Sequence, residues 1–424
     1  MYHRKLLLIL MISTTSAVVG QSLLDVYGFG RPLKAQAAAT SGTASSGLLP
    51  GFQNGISLSN PATWSNLSFS YISGSYAASR FELTELEIIQ ESSTLSQFSF
   101  IVPIKGRFAW GLGLNPFAAQ NISLVGLNTE QFNYEGEPYE LRKSIKATGG
   151  VYSLNSAFGF PLGTFERGGI SFDFLFGSTR HETTLSVNSI NYLYQRRHIY
   201  SGTLAKIFLS TSRFSESKIP VELYTSIGLA VMPLRIRSLW YEPFEDINES
   251  GDQDNSDFPT ASNAQPPLQK YVNDIIKPFE FEIGVDIKLN QIIYLQSAAS
   301  FWRDNSKVDS EVLIFDDWLK SQSHFSVGIV KYQRRGPKTI LDYSILRLGL
   351  YGKFYDFELS DDIKMEYGLS LGVGFNFGLT KNQIDISYLV GKRERILGVS
   401  EEIIQQISIG ISLGDLWFEK RRIH

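Results

Sequence analysis

The chain predicts an all-β fold, a transmembrane antiparallel β-barrel of about fourteen strands. Three observations carry that expectation. First, residues 365–379, MEYGLSLGVGFNFGL, place Met365, Tyr367, Leu369, Leu371, Val373, Phe375, Phe377 and Leu379 on one face and Glu366, Gly368, Ser370, Gly372, Gly374, Asn376 and Gly378 on the other. Successive side chains of a strand point to opposite faces, so this is one long strand with one greasy side and one small or polar side. Second, runs of this kind recur about fourteen times between Leu67 and Leu413, many of them nearer the length of a tilted membrane crossing than the 5–6 residues of an ordinary soluble strand. Third, no uninterrupted apolar run approaches the roughly 20 residues a spanning helix needs.

The elements follow in order. Residues 1–20 read as a secretory signal peptide: Arg4 and Lys5 precede the apolar block Leu6 to Ile12, and small residues end near Gly20. The chain has no cysteine, which excludes disulfides, thiolate metal sites and a lipid anchor on an N-terminal cysteine. Residues 21–65 are rich in Ala, Ser and Gly and lack sustained alternation, and the tripeptide Asn60-Pro61-Ala62 closes them. Proline fixes its own backbone angle and restricts the residue before it, which makes this tripeptide a turn at the entrance to the first strand.

Residues 66–424 carry the strands. ISFDFLF sets Ile170, Phe172, Phe174 and Phe176 against Ser171 and Asp173, and VELYTSIGLAV alternates in the same way from Val221 to Val231. In FEFEIGVDIKL the apolar set from Phe279 to Leu289 opposes Glu280, Glu282, Gly284, Asp286 and Lys288. LRLGLYGKF opposes Leu346, Leu348, Leu350 and Phe354 to Arg347, Gly349, Tyr351 and Lys353. Charges opposite a continuous apolar stripe imply a wet inner side, so Glu282, Asp286, Lys288, Arg347, Lys353 and Glu366 are the lumen-facing candidates. The last strand, through Ile403, Ile407, Ile409, Ile411 and Leu413, ends on Trp417 and Phe418 before Lys420, Arg421 and Arg422, the order expected where a strand leaves lipid.

A soluble sandwich or propeller would also hold alternating strands. The length of the runs, an aromatic content of 13% with Tyr and Trp often near strand ends, and the lack of a blade-length repeat favour the barrel. Closure also removes edges that such strands would expose. The net charge of -3 points to no nucleic-acid partner; outer-membrane lipid is the partner the strands imply.

The small-residue segment with Asn60-Pro61-Ala62, the strand count and the closing SLGDLWFEKRRI resemble the FadL-type outer-membrane transport family, in a form like that of Bacteroidota. The resemblance implies a fourteen-stranded barrel whose N-terminal segment folds into the lumen as a plug, or hatch. It also implies passive uptake of hydrophobic small molecules such as long-chain fatty acids, with exit through a lateral opening in the wall. The location implied is the outer membrane of a Gram-negative, diderm bacterium. The alternatives are a non-transporting barrel of the same family that docks or shuttles secreted proteins, as PorV-type barrels do, and a structural envelope protein. A protein partner stays open on either.

Enzymatic chemistry finds no support. His3, His181, His198, His324 and His424 have no metal-ligand spacing, and GLGLNP and GVGFNFG open no helix and lack the lysine of a phosphate loop. No cofactor is expected. DINESGDQDNSD places oxygen side chains at Asp246, Asn248, Ser250, Asp252, Asp254 and Asp257, close to calcium-loop spacing. Its last ligand is Asp instead of the usual Glu, however, so residues 241–270 read as a long acidic external loop.

Overall fold

A computed structural model describes residues 22–26, 30–52, 55–85, 88–104, 107–125, 130–134, 137–188, 190–214, 219–306, 318–334, 336, 339–358, 363–378, 382–396 and 400–415. The signal-peptide reading and the closing Trp417 to Arg422 lie outside them. Fourteen antiparallel strands form the wall: β1 (Ser70–Leu83), β2 (Ile88–Ile104), β3 (Phe108–Ala119), β4 (Glu137–Pro161), β5 (Glu166–Val187), β6 (Ile190–Phe214) and β7 (Val221–Trp240). β8 follows in two stretches, Leu268–Ile276 and Pro278–Lys288, both paired with β7. Then come β9 (Ile293–Asp304), β10 (Leu319–Lys331), β11 (Ser344–Phe357), β12 (Lys364–Phe377), β13 (Asn382–Ile396) and β14 (Ser400–Asp415). Each strand pairs with the next, and β14 pairs with β1 from Glu402↔Leu83 to Asp415↔Ser70, which closes the sheet.

Alternation in the sequence becomes two environments in the wall. Leu371 is 49% exposed on the outside and Ser370 is 0% exposed on the inside, one residue away on β12. The same contrast separates Ile283 from Glu282 on β8 and Leu348 from Arg347 on β11. Apolar side chains left on the outer surface at this density belong against lipid, since a soluble protein would bury them.

Strands β4 to β7 run to 20–25 residues, well past the roughly 9–11 of a tilted membrane crossing. Their outer faces mark where lipid ends: on β5, Phe172, Phe174 and Phe176 give way to Arg180, which pairs with Glu182 and Asp252. Beyond that point the strands form an arm of sheet on the side of the β7–β8 connection. Phe244–Glu245 of that connection pairs with Leu193 and Tyr192 of β6.

The N-terminal segment packs on the inner face. It comprises the extended pair Arg31–Pro32, the short helix α1 (Ala38–Ser41) and the 3-10 turn Pro61–Asn66. Small residues on both sides let backbones meet. A Cβ on Gly372 of β12 would stand 2.9 Å from the Cα of Gly42, and one on Gly349 of β11 would strike the backbone of Thr43. Glycine is required at these two positions by close approach of the inner segment.

Candidate functional site: a cavity at a break in the wall

The wall is not continuous between β2 and β3. Their ladder joins Phe98–Ile104 to Phe108–Leu114 and stops. Among the described residues, no ladder pairing joins the rest of β2, Ile88 to Gln97, to the rest of β3. Pro116 stands where the ladder ends on β3, and proline has no amide hydrogen to donate. The ladder of β3 with β4 shifts register between Pro116 and Ala118, and that of β1 with β2 shifts at Ser75/Tyr76, irregularities of the kind that bend a strand. After β3 the chain runs on as Ile122–Val125 and Glu130–Tyr134, which among the described residues form ladders with β4 only.

The N-terminal segment lies across this break. Arg31 and Pro32 are in register with Ala119 and Ala118, Leu33 N–H donates to the Phe117 carbonyl at 2.9 Å, and Gln36 N–H donates to the Ser96 carbonyl at 3.3 Å. One short strap thus touches both edges. Beside it lies a cavity of about 320 Å³, lined by Thr94, Ser96 and Gln97 on one edge, Asn115 to Ala118 on the other, and residues 30–36 of the strap.

Ion pairs tie the strap and its surroundings to the wall. Lys34 Nζ meets Glu282 Oε1 at 2.6 Å, and the Ser46 hydroxyl donates to Glu282 Oε2 at 3.1 Å. Lys206 meets Glu280 at 2.6 Å. Arg347 bonds Asp385 at 2.7 Å and the Gly51 carbonyl at 2.9 Å. Glu366 is a hub: it accepts from Tyr355 (2.7 Å), Tyr351 (3.1 Å), Lys353 (3.0 Å) and Arg393 (2.6 Å). Arg393 also pairs with Glu402 and donates to the Ser22 hydroxyl at 2.8 Å. Asp25, on the same N-terminal stretch, lies 3.4 Å from Arg31; burial pushes its carboxyl up to about 6 against the pull of Arg31, with Glu402 adding to the rise.

All six lumen-facing candidates lie on this inner side. Glu282, Asp286, Arg347 and Glu366 are buried there, Lys353 reaches Glu366, and Lys288 stands 5.9 Å from the Tyr294 ring at one end. Asn60, Pro61 and Ala62 are buried as well: Asn60 Nδ2 donates to the Leu48 carbonyl at 3.0 Å and its Oδ1 accepts from Ala62 N–H at 3.0 Å, capping the 3-10 turn. Gly159 and Gly169 leave room for Pro61. In the acidic loop the candidate ligand oxygens are turn-formers. Asp246 accepts from the amides of Ser250 and Gly251, Asn248 from Ser250, and Asp257 from Ile247 and Asp254. Ser256 donates twice to Asp254, holding that carboxyl below its ordinary value, and Asp252 pairs with Arg180. Among the described residues no group of three His, Asp or Glu side chains could hold a metal.

Sequence reasoning missed Lys34, Lys206, Asp385, Arg393 and Glu402; Lys34 and Lys206 meet partners far along the chain, and the other three meet theirs across strands β11 to β14. It also missed the break, although Pro116 inside GLGLNPFAA was a signal, since proline disrupts a central ladder.

The family model described as BamG matches residues 1–424. Among solved structures, a FadL homologue from Pseudomonas aeruginosa aligns at 12% identity over 91% of this chain and 99% of its own, with a TM-score of 0.57. The TodX deltaS2S3 mutant monoaromatic hydrocarbon channel aligns at 13% identity over 93% and 100%, with a TM-score of 0.51. No match is found among curated proteins. At these identities the likeness is one of fold, a FadL-type barrel.

Proposed function

This chain belongs to the BamG family, and from its barrel we propose that it is an outer-membrane channel, reached by export in a diderm bacterium, for passive uptake of hydrophobic small molecules. In this reading residues 21–65 are the plug, held in part by the capped turn at Asn60, Pro61 and Ala62. A molecule moves between the cavity and the outer leaflet through the break between β2 and β3 once Arg31–Gln36 has shifted. One observation carries the reading: the cavity of about 320 Å³ meets the break, and the same strap lines the one and spans the other. A binding cavity of a few hundred Å³ suits a small ligand. The solved channels of like fold include one named for monoaromatic hydrocarbons, which is in keeping with the class of cargo.

The test is uptake into proteoliposomes by the chain with cysteines at Leu33 and Phe117, as disulfide and as dithiol. Uptake of an aromatic hydrocarbon or a fatty acid by the dithiol form, and its loss on oxidation, is expected. Equal uptake in both states would refute passage through the break.

A second reading, docking of a secreted or surface protein, is favoured by the arm. Phe258 (72% exposed), Leu268 and Tyr271 stand out from its connection and edge, on a loop whose turns are built by its own carboxylates. Replacing the three by serine would abolish capture of a partner crosslinked in intact membranes and leave uptake unchanged.

A further inference from the structure

The outer face of the arm carries a charged patch that neither the plug nor the break uses. Arg180 of β5 stands directly opposite Arg197 of β6, and across the next ladder Arg237 and Arg235 of β7 stand opposite Ile199 and Ser201. Leu234 and Ile236 turn inward, into a buried cluster with Tyr200 and Leu175, so the arginines that alternate with them turn outward. All four arginines thus share one face of three neighbouring strands. Side chains directly opposite on such a face are about 5 Å apart at Cβ and diagonal ones about 7–8 Å, close enough for one anion to touch two guanidinium groups.

Their charges are unequally met. Arg180 pairs with Glu182 and Asp252. Arg197, Arg235 and Arg237 are exposed and form no ion pair among the described residues; Arg235 Nε donates to the Ser201 hydroxyl at 3.3 Å. Asp274, in the irregular stretch of β8 across from Arg235, does not pair with it. Like charges facing each other on a sheet destabilise it, and an anion set among them removes that cost. Phosphate suits this arrangement, because a guanidinium group gives its oxygens two parallel hydrogen bonds.

The patch also lies at the depth of lipid headgroups. Arg180 is four residues beyond the exposed Phe176, and Arg235 three beyond the exposed Met232. At about 3.3 Å per residue and a tilt of about 40°, that is roughly 8–10 Å above the apolar band. The headgroup layer is about 5–8 Å thick on each side, and an arginine side chain can reach down to it. The leaflet is the outer one: the arm stands at the end of the barrel away from Ser70 and Asp415, where residues 241–267 make a long connection, while residues 162–165 make a short turn at the opposite end.

We propose that the outer face of the arm binds the phosphate of an outer-leaflet lipid, through Arg197, Arg235 and Arg237, with the acyl chains along the apolar band below. Exposed Leu229, Val231 and Met232 on β7 and Phe174 and Phe176 on β5 supply that band. The site is separate from the cavity and does not depend on passage through the break.

The test is native mass spectrometry of the full chain in neutral detergent, offered equal amounts of diphosphorylated lipid A and the same lipid with both phosphates removed. The phosphorylated lipid should bind preferentially. Replacing all three arginines by glutamine should weaken it about a hundredfold, at a factor of about five for each charge near a membrane surface, and Arg237→Gln alone about fivefold. The melting temperature should hold, because the three side chains are exposed. Arg303→Gln, on the outer face of β9 between Phe279 and Ser321, should leave binding unchanged. Equal binding of the two lipids, or undiminished binding by the triple glutamine variant, would overturn the proposal. So would displacement of the lipid by an equal concentration of inorganic phosphate or of polyglutamate, which would make the patch a site for a free anion or for an acidic protein.

Discussion

Replacing Glu282 by glutamine is expected to loosen the strap and to raise passage through the break. Glu282 accepts from Lys34 at 2.6 Å and from Ser46 at 3.1 Å, and glutamine keeps its size and the Ser46 contact while losing the charge. A hydrogen bond to a charged group contributes about 1.5–3 kcal/mol. The Lys34 side chain is 33% exposed, so solvent screens the pair and the lower end applies, about 1.5 kcal/mol. That loss multiplies the released population about tenfold. The strap is also held by the amides of Leu33 and Gln36, by the Gln36 side chain on the Ser45 carbonyl, and by Arg31 beside Asp25. The assay pairs maleimide labelling of Leu33→Cys with proteoliposome uptake, in the presence and absence of Glu282→Gln. Both rates should rise about tenfold, and the melting temperature of the barrel should hold, because the wall ladders are untouched. Faster labelling with unchanged uptake would refute the strap as the gate. No change in either would show that Lys34 and Glu282 do not hold it.

Three further outcomes are expected. Leu371→Arg, on the outer face of β12, should destabilise the barrel by about 2–4 kcal/mol in a reversible urea titration in lipid, whereas Leu371→Val should stay near neutral; equal midpoints would remove lipid from that face. Gly372→Val should expel the segment around Gly42 and open the lumen to a water-soluble dye, and Gly74→Val, where an added Cβ meets nothing within 4 Å, should not. The pH response of the N-terminal stretch follows from Asp25. Its carboxyl rises from 3.8 to about 6 on seating, so the seated form holds more protons than the released form between these values. Seating therefore strengthens as pH falls through about 6 and is weakest above it. Labelling of Leu24→Cys, divided at each pH by the rate for the same thiol in the unfolded chain, should slow from pH 7.5 to pH 5, and Asp25→Asn should flatten that ratio; a ratio that rises in acid would contradict the burial argument.

Much of the wall was legible because its physics is local. A period of two, read on Met365 to Leu379, assigns each side chain a face with no knowledge of its neighbours, and Ser370 at 0% and Leu371 at 49% exposure follow from it. The extra length of β4 to β7 was harder to read, since leaving lipid changes only the outer residues, as from Phe176 to Arg180, and keeps the alternation. The interior was least legible. Arg393 joins Glu366, Glu402 and Ser22 at the meeting of three separate parts of the chain. Glu366 and Glu402 stand opposite Arg393 on the two adjacent strands, a register that the local sequence does not state, and Ser22 comes from 371 residues away. The strap was hidden for the same reason: RPLKAQ carries no alternation, and its strand-like pairing exists only because β2 and β3 part beside it.

The seam between β14 and β1 also sets an order of assembly. Ser73 and Ser412 bond across it at 2.7 Å, from positions 339 residues apart, so joining this seam carries the largest chain-entropy cost in the wall. The segment that packs on the inner face precedes β1, and the strands it packs on come later in the chain. With α1 packed on β12, β13 and β14 as well as on β1, its contacts straddle the seam itself. A cylinder that closed first would have to admit some forty folded residues through an end or through the narrow break. Packing α1 against the growing sheet before the first and last strands meet avoids that passage, so the contacts that straddle the seam favour an order in which the inner segment is the form around which the cylinder is rolled.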